Sequence, residues 1–227
     1  MINKPGGGYR ALIGGVVAVT LLAASSCSSS SSGGGGTASS DDLVIGTTNN
    51  VVSANPNPVT VGGFLVRQAL FNTLVDFDPD GKPQPELAKS WELSPDGKTL
   101  TMTLRTDVKF QNGKAFDAQV AADNFAYAQD PAHRVQGGGM IQDAKAQAQG
   151  ADTLVITMKT PIPQLLSIFV NMPMLDLSSN LDTDPVGTGP YKLTGFRSGD
   201  RITMERNDSY WGEQAKLKNY TVRFFSD

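Results

Sequence analysis

The stretch 85-PELAKSWELSPDGKTLTMTLRTDVKFQNGKAFDA-118 has the clearest structural pattern in this 227-residue chain. Apolar and polar residues alternate from 99 to 104, which is the period-two pattern of a strand with one buried face. The Ser-Pro-Asp-Gly sequence at 94–97 is a turn signal, because proline presets φ at the second turn position and glycine supplies a positive φ further along. The stretch therefore predicts a β-hairpin whose first strand contains Trp91 and Leu93.

The pattern becomes helical directly after this hairpin. Asp117 is a good N-cap residue, and the alanine-rich run 118–129 that follows favours a helix. The segment 132–150 is weakly patterned, and its second half fits either a short helix or an edge segment of a sheet. A buried strand is predicted at 43–45. Further strands are predicted at 73–77, at 152–160, on both sides of a turn at 198–200, and from 220 onward. Further helices are predicted at 63–74 and 161–172.

The first 40 residues predict export rather than a folded element. Lys4 and Arg10 precede an uncharged, largely apolar run at 11–24, which is shorter than the roughly 20 residues that a spanning helix needs. It matches the apolar middle of a secretory signal, which has about 7 to 15 residues. Small residues then lead to Cys27, the only cysteine. This arrangement resembles a bacterial lipobox, which implies a signal peptide at 1–26 and a lipid anchor on Cys27; an ordinary signal with an incidental cysteine is the alternative.

The residues from 27 to 40 predict a flexible tether, because serine and glycine dominate them and nothing there is apolar enough to pack. Loss of Lys4 and Arg10 with the signal would change the formal charge from −3 to −5. Basic residues are not clustered, so nucleic acid is not an expected partner. The remaining range, 41–227, is long enough for one large domain or two small ones.

Motifs for catalysis or metal binding are missing from the sequence. There is no Ser/His/Asp order, HExxH or CxxC, so we expect neither an enzyme nor a metal or cofactor site. His133 is alone in a polar loop and is expected to be exposed. The run 187–190 (Gly-Thr-Gly-Pro) lacks the Lys-Ser/Thr ending of a phosphate-binding loop, and we interpret it as a turn that ends a strand. Aromatic residues at three positions are predicted to pack in the core rather than stack on a ligand: Trp91, Phe110 and Trp211.

Several ordered motifs resemble one family. They are Leu87–Trp91, Asp96-Gly97, Leu104–Gly113, Gly187–Tyr191 and Asn207–Trp211. Together they resemble the bacterial extracellular solute-binding proteins that supply ABC importers, in the oligopeptide, dipeptide and nickel-binding group, and the match runs from about 43 to 227. The chain departs from the family where a helix usually opens with Asp-Val and Gln119-Val120 stands instead. The resemblance implies an α/β fold, strand-rich with several helices. The range 41–227 would form the mixed-sheet N-terminal first lobe of a two-lobe periplasmic-binding-protein-like fold, with the second lobe missing.

The resemblance also implies a function. We expect a lipid-anchored receptor at the cell membrane, facing the periplasm or the exterior, that captures peptides or similar small solutes for ABC permease subunits. A structural or scaffold lipoprotein is the alternative. The candidate ligand-binding residues are Thr47, Asn49 and Asn50, with the start of the following helix, since ligands of α/β sheets bind beyond the carboxyl ends of strands and amides match a peptide backbone. The two asparagines could instead serve only the loop's turns. Binding by a single lobe is expected to be weak.

Overall fold

The structure, a computed structural model, describes residues 41–225. The strands in this range are β1 (Asp42–Thr47), β2 (Val75–Phe77), β3 (Pro83–Pro85), β4 (Ala88–Leu93), β5 (Thr99–Leu104), β6 (Lys145–Gln149), β7 (Thr153–Thr157), β8 (Tyr191–Arg197), β9 (Arg201–Arg206) and β10 (Asn219–Phe224). The α-helices are α1 (Val61–Leu70), α2 (Ala118–Gln129) and α3 (Leu165–Val170), with short 3₁₀ segments at Pro131–His133 and Gly138–Ile141.

The first sheet has the strand order β1-β10-β9-β8 and is mixed, as expected. Its β1 is parallel to β10, while the other neighbours are antiparallel. One face packs with α1 around Leu70, Ile202 and Val222, all of which are fully buried. The prediction that β1 is a buried strand was wrong, because β1 is an edge strand and Val44 is 56% exposed on it.

The second sheet has the order β4-β5-β7-β6 and is antiparallel throughout. The predicted hairpin is confirmed as β4 and β5, and the apolar side chains of β5 are buried on one face. The weakly patterned segment forms the edge strand β6, so the edge-segment interpretation is correct and the helical one is wrong. A separate two-stranded ribbon joins β2 and β3.

Helix α2 begins and ends at the predicted residues. The side chain of Asp117 accepts a hydrogen bond from the Val120 amide at 2.9 Å, which satisfies a backbone donor that the first turn leaves free. Ala121 and Phe125 are buried on its inner face, against the core of the second sheet. The sequence pattern was therefore sufficient to define this helix.

Helix α1 ends at Leu70, four residues before its predicted end at 74. Phe71 has extended backbone angles, and the Leu70 carbonyl accepts hydrogen bonds from the Gly189 amide at 2.9 Å and the Gln111 side chain at 2.7 Å. These partners are distant in sequence. The apolar periodicity of 63–74 continues beyond the point where tertiary contacts end the helix.

Residues 41–225 contain no helix that is both long and apolar enough to span a membrane. The predicted signal at 1–26, the lipid anchor at Cys27 and the tether at 27–40 lie outside the described residues.

Candidate functional site

The Gly-Thr-Gly-Pro segment at 187–190 lies against the end of α1. It precedes β8, so the prediction that it ends a strand was wrong. A Cβ atom on Gly187 would lie 2.1 Å from the Leu70 carbonyl oxygen, and one on Gly189 would lie 2.5 Å from the Leu70 carbonyl carbon. Glycine is required at both positions because only a residue without a side chain permits this backbone contact.

The side chain of Gln111 joins the segment to its neighbours. Its amide nitrogen donates to the carbonyls of Leu70 and Tyr191, each at 2.7 Å, and its oxygen accepts from the Gly187 amide at 3.0 Å. One side chain therefore joins the end of α1 to the segment 187–191, which is distant from it in sequence. The motif residues at these positions have a structural role.

Asn72, just after α1, connects this segment to a carboxylate. Its side-chain oxygen accepts from Thr188 Oγ1 at 3.1 Å and from Trp211 Nε1 at 3.2 Å. Its side-chain nitrogen donates to Glu86 Oε1 at 2.6 Å and to the Tyr210 hydroxyl at 3.2 Å. The contacts with Thr188, Trp211 and Tyr210 hold Asn72 in place, and Asn72 in turn positions Glu86, which lines a cleft.

This cleft, which we call the α1–α3 cleft, has a volume of about 270 Å³. Its lining includes residues from α1, from the end of α3 and from the segments around β2 and β4: Phe64, Arg67, Phe71, Asp76, Glu86 and Asn171. Apolar and charged groups therefore face the same space, which is the composition typical of small-molecule sites.

Glu86 is a carboxylate that hydrogen bonds hold at the cleft. Besides Asn72, it accepts hydrogen bonds from the Thr73 amide at 2.8 Å and the Thr73 hydroxyl at 2.6 Å. Burial raises the pKa of Glu86; the hydrogen bonds from Thr73 and Asn72 oppose that rise, and the nearby charge of Asp76 adds to it. Repulsion between Glu86 and Asp76 makes this part of the cleft favourable for a positively charged group.

Arg67 is the buried positive charge of the cleft, with only 8% of its surface exposed. Its guanidinium donates one hydrogen bond, from Nη1 to the Asn171 carbonyl at 3.2 Å, and lies 5.5 Å from the centroid of the Phe64 ring. No ion pair in the described part of the chain includes Arg67. Burial lowers the pKa of Arg67, and the charge of Glu86 opposes that shift. A buried charge that is not in direct contact with a counter-charge is costly, and Glu86 offsets the charge of Arg67 only from a distance.

The predicted ligand residues lie at the carboxyl end of β1. Thr47 Oγ1 accepts from the Asn49 amide at 3.1 Å, which is the local turn role considered as the alternative. Both Asn49 and Asn50 are exposed. Asn50 lies beside the β8–β9 turn, with its amide nitrogen 3.5 Å from where a Cβ on Gly199 would be. Their contact with a ligand stays a prediction.

The rest of this loop is anchored to the fold. Ser53 Oγ donates to the Asp182 carboxylate at 2.8 Å, and the Ala54 amide donates to the Asp182 carbonyl at 2.8 Å. The loop from 48 to 60 is therefore held at Ser53 and Ala54, while the side-chain amides of Asn49 and Asn50 are exposed.

Sequence reasoning missed Arg67, Glu86 and Asn72. One signal was available, because Arg67 is the only charged residue between Val61 and Phe71. No sequence signal places it in the same cleft as Glu86, since the two residues come together only in the folded chain.

The aromatic predictions are confirmed in part. Phe110 is 3% exposed, while Trp91 and Trp211 are half-buried and pack against the core. His133 is not fully exposed as expected: it is half-buried and stacks on the Tyr127 ring with 3.6 Å between centroids. Within residues 41–225, no group of three or more His, Cys, Asp or Glu side chains could hold a metal ion.

Comparison with known proteins gives consistent matches. Residues 82–227 match the family model for "Bacterial extracellular solute-binding proteins, family 5 Middle". The chain is 35% identical over 191 residues to the nickel-binding periplasmic protein of Escherichia coli (strain K12), covering 78% of this chain and 36% of that protein. It is 30% identical over 187 residues to the oligopeptide-binding protein OppA of Bacillus subtilis (strain 168), covering 70% of this chain and 34% of that protein. The chain therefore spans about a third of the length of these relatives.

The fold comparison agrees. The crystal structure of a nickel ABC transporter from Bacillus halodurans matches with a TM-score of 0.73 and 32% identity, covering 82% of this chain and 39% of that one. The strand-rich, mixed α/β architecture is the periplasmic-binding-protein fold of such neighbours. The family model covers more than half of the chain, and the chain belongs to the bacterial extracellular solute-binding proteins of family 5.

Proposed function

We propose that this chain is the solute-binding part of an ABC importer and captures peptides or similar small solutes outside the cytoplasm. The α1–α3 cleft is the observation on which the proposal rests, because it combines apolar walls with a buried, unpaired guanidinium in a member of a solute-binding family. Relatives are named for nickel and for oligopeptides. The chain binds its ligand by hydrogen bonds and burial and performs no chemistry on it.

The loop after β1 supplies a second set of ligand contacts in this proposal. Asn49 and Asn50 are exposed amides on an anchored loop, and each amide offers a donor and an acceptor to a peptide backbone. Thr47 holds the turn through its contact with the Asn49 amide.

Cys27 anchors the receptor in the membrane in the same proposal, and ABC permease subunits receive the solute. The lipobox-like sequence supports the anchor. Several acyl chains on one cysteine would hold the protein stably, whereas a single chain gives only marginal membrane binding.

Equilibrium dialysis against a mixture of tripeptides tests ligand capture. The full chain should retain tripeptides weakly, and the double variant N49A/N50A should retain severalfold less. The variant Q136A, which removes an exposed amide outside this loop, is the matched control and should behave like the parent. Equal retention by all three proteins would remove the loop from the proposal, and no retention by the parent would contradict the proposal itself.

Metabolic labelling with a radioactive fatty acid tests the anchor separately. The parent chain should incorporate label in a bacterial host, and C27S should not. An unlabelled parent chain would remove the anchor from the proposal without affecting ligand capture.

A further inference from the structure

We infer that the α1–α3 cleft recognises a zwitterionic amino-carboxylate group, as in a free amino acid, with the carboxylate on Arg67 and the ammonium on the side of Glu86 and Asp76. The inference rests on the proposed function and specifies which charged groups the ligand carries. It is carried by three side chains that line one cavity and are left incompletely neutralised by the described part of the chain.

Arg67 defines the carboxylate end. Its guanidinium has five N–H donors, and its one hydrogen bond goes to the Asn171 carbonyl. Among the described residues, no Arg67 nitrogen is both enclosed and without a hydrogen-bond partner, and Arg67 lines the cleft. A ligand carboxylate would accept two parallel N–H bonds from this group and neutralise it.

The acidic pair defines the ammonium end. Glu86 is held in place by Asn72 and Thr73, and Asp76 is exposed at the same cleft. No ion pair within 4.0 Å joins Arg67 to Glu86 or Asp76, so the two signs of charge are separated within one cavity. An ammonium between the carboxylates would remove their mutual repulsion.

Ligands with a single charge fit this pattern less well. An anion would pair with Arg67 but meet the repulsion of Glu86 and Asp76. A cation would pair with the carboxylates and leave the buried Arg67 charge without a partner. Only a ligand that carries both charges, a few ångströms apart, neutralises both ends of the cleft.

The size and walls of the cleft limit the rest of the ligand. A volume of about 270 Å³ is at the small end for ligand pockets and suits one residue. Phe64 is 41% exposed, Phe71 is buried, and Val170 and Pro173 complete the apolar lining. These walls favour an aliphatic side chain such as that of leucine.

NMR titration of the full chain at pH 6.5 tests the inference, with L-leucine, L-leucinamide and N-acetyl-L-leucine as probes. Leucinamide has the ammonium without the carboxylate, and N-acetylleucine has the carboxylate without the ammonium. L-Leucine should bind at least tenfold more tightly than either analogue. R67Q should lower its affinity to that of leucinamide, and D76N should weaken L-leucine severalfold without weakening N-acetylleucine.

R197Q is the matched control, because it removes an exposed arginine on β8 outside the cleft lining; its affinity for L-leucine should equal that of the parent. Equal binding of the three probes, or unchanged L-leucine affinity in R67Q, would overturn the inference. If tripeptides are still retained in dialysis in that case, the receptor function stands and only the charge pattern of the cleft fails. If tripeptides are not retained either, both fail.

Discussion

Asn72 is the residue whose loss should affect stability most directly. Its amide bonds to Thr188, Trp211, Glu86 and Tyr210, and it is 6% exposed. Alanine at 72 would leave the buried Thr188 hydroxyl and the half-buried Trp211 Nε1 without the partner shown for them. We expect N72A to lower the free energy of unfolding by about 2–3 kcal/mol.

Urea unfolding followed by circular dichroism measures this loss. N219A is the control, because Asn219 is exposed and its side-chain nitrogen donates to the Asp42 carboxylate at the surface; it should cost less than about 0.5 kcal/mol. Equal stabilities of N72A and N219A would show that the contacts of Asn72 do not hold the segment around 188.

Asp176 should make stability depend on pH. Burial alone would raise its pKa, but hydrogen bonds from Lys114, Ser178 and Asn112 outweigh burial and lower the pKa to about 2. Lys114 Nζ lies 2.8 Å from its carboxylate, which is 8% exposed. Because the folded-state pKa is below the unfolded value, the stabilisation is complete above about pH 4 and is lost as the pH falls through 2.

D176N isolates this contribution. At pH 6 we expect it to lower the free energy of unfolding by about 1–2 kcal/mol. This range allows for solvent screening of the attraction between Asp176 and the half-exposed Lys114. The difference from the parent should shrink as the pH is lowered from 4 to 2. A difference that stays constant over this range in urea unfolding experiments would show that Asp176 is not the titrating group.

At the scale of elements, the contact between α1 and the 187–190 segment should tolerate no side chain. A Cβ at Gly187 or Gly189 would meet the backbone of Leu70, and backbone cannot move aside as a flexible side chain can. We expect G187A and G189A each to lower stability by about 1–3 kcal/mol or more.

G139A is the matched control, because a Cβ at Gly139 would have no atom within 4 Å. Thermal unfolding should give a melting temperature for G139A close to that of the parent and clearly lower values for the other two. If all three variants melt together, the close approach of the two backbones is not what requires glycine.

Elements that depend on their own residues were predictable from the sequence. The alternation in β5 and the Asp117 cap of α2 are local, and both predictions are confirmed. The end of α1 was not predictable, because hydrogen bonds from Gln111 and Gly189 to the Leu70 carbonyl determine it. The exposure of Val44 follows from the place of β1 at a sheet edge, which is also a tertiary property.

For the whole molecule, the family motifs led to the correct fold, since they form the contacts that join the elements. Gln111 comes shortly after β5 of the second sheet, yet it bonds to the last residue of α1 and to the first residue of β8. The candidate site was less predictable. The loop with Asn49 and Asn50 follows a strand and could be singled out, whereas Arg67 and Glu86 are 19 positions apart and meet only in the folded chain.

Chemical-shift mapping of the full chain with a tripeptide and with L-leucine tests whether this protein binds small amino-carboxylate solutes at the Asn49–Asn50 loop and the α1–α3 cleft. Titration with the tripeptide to millimolar concentration should shift the resonances of the Asn49–Asn50 loop, with saturation. Titration with L-leucine should shift those of the residues around Arg67. Resonances on the exposed side of α2 should stay in place. Unchanged spectra, or shifts confined to surfaces away from the loop and the cleft, would contradict the claim.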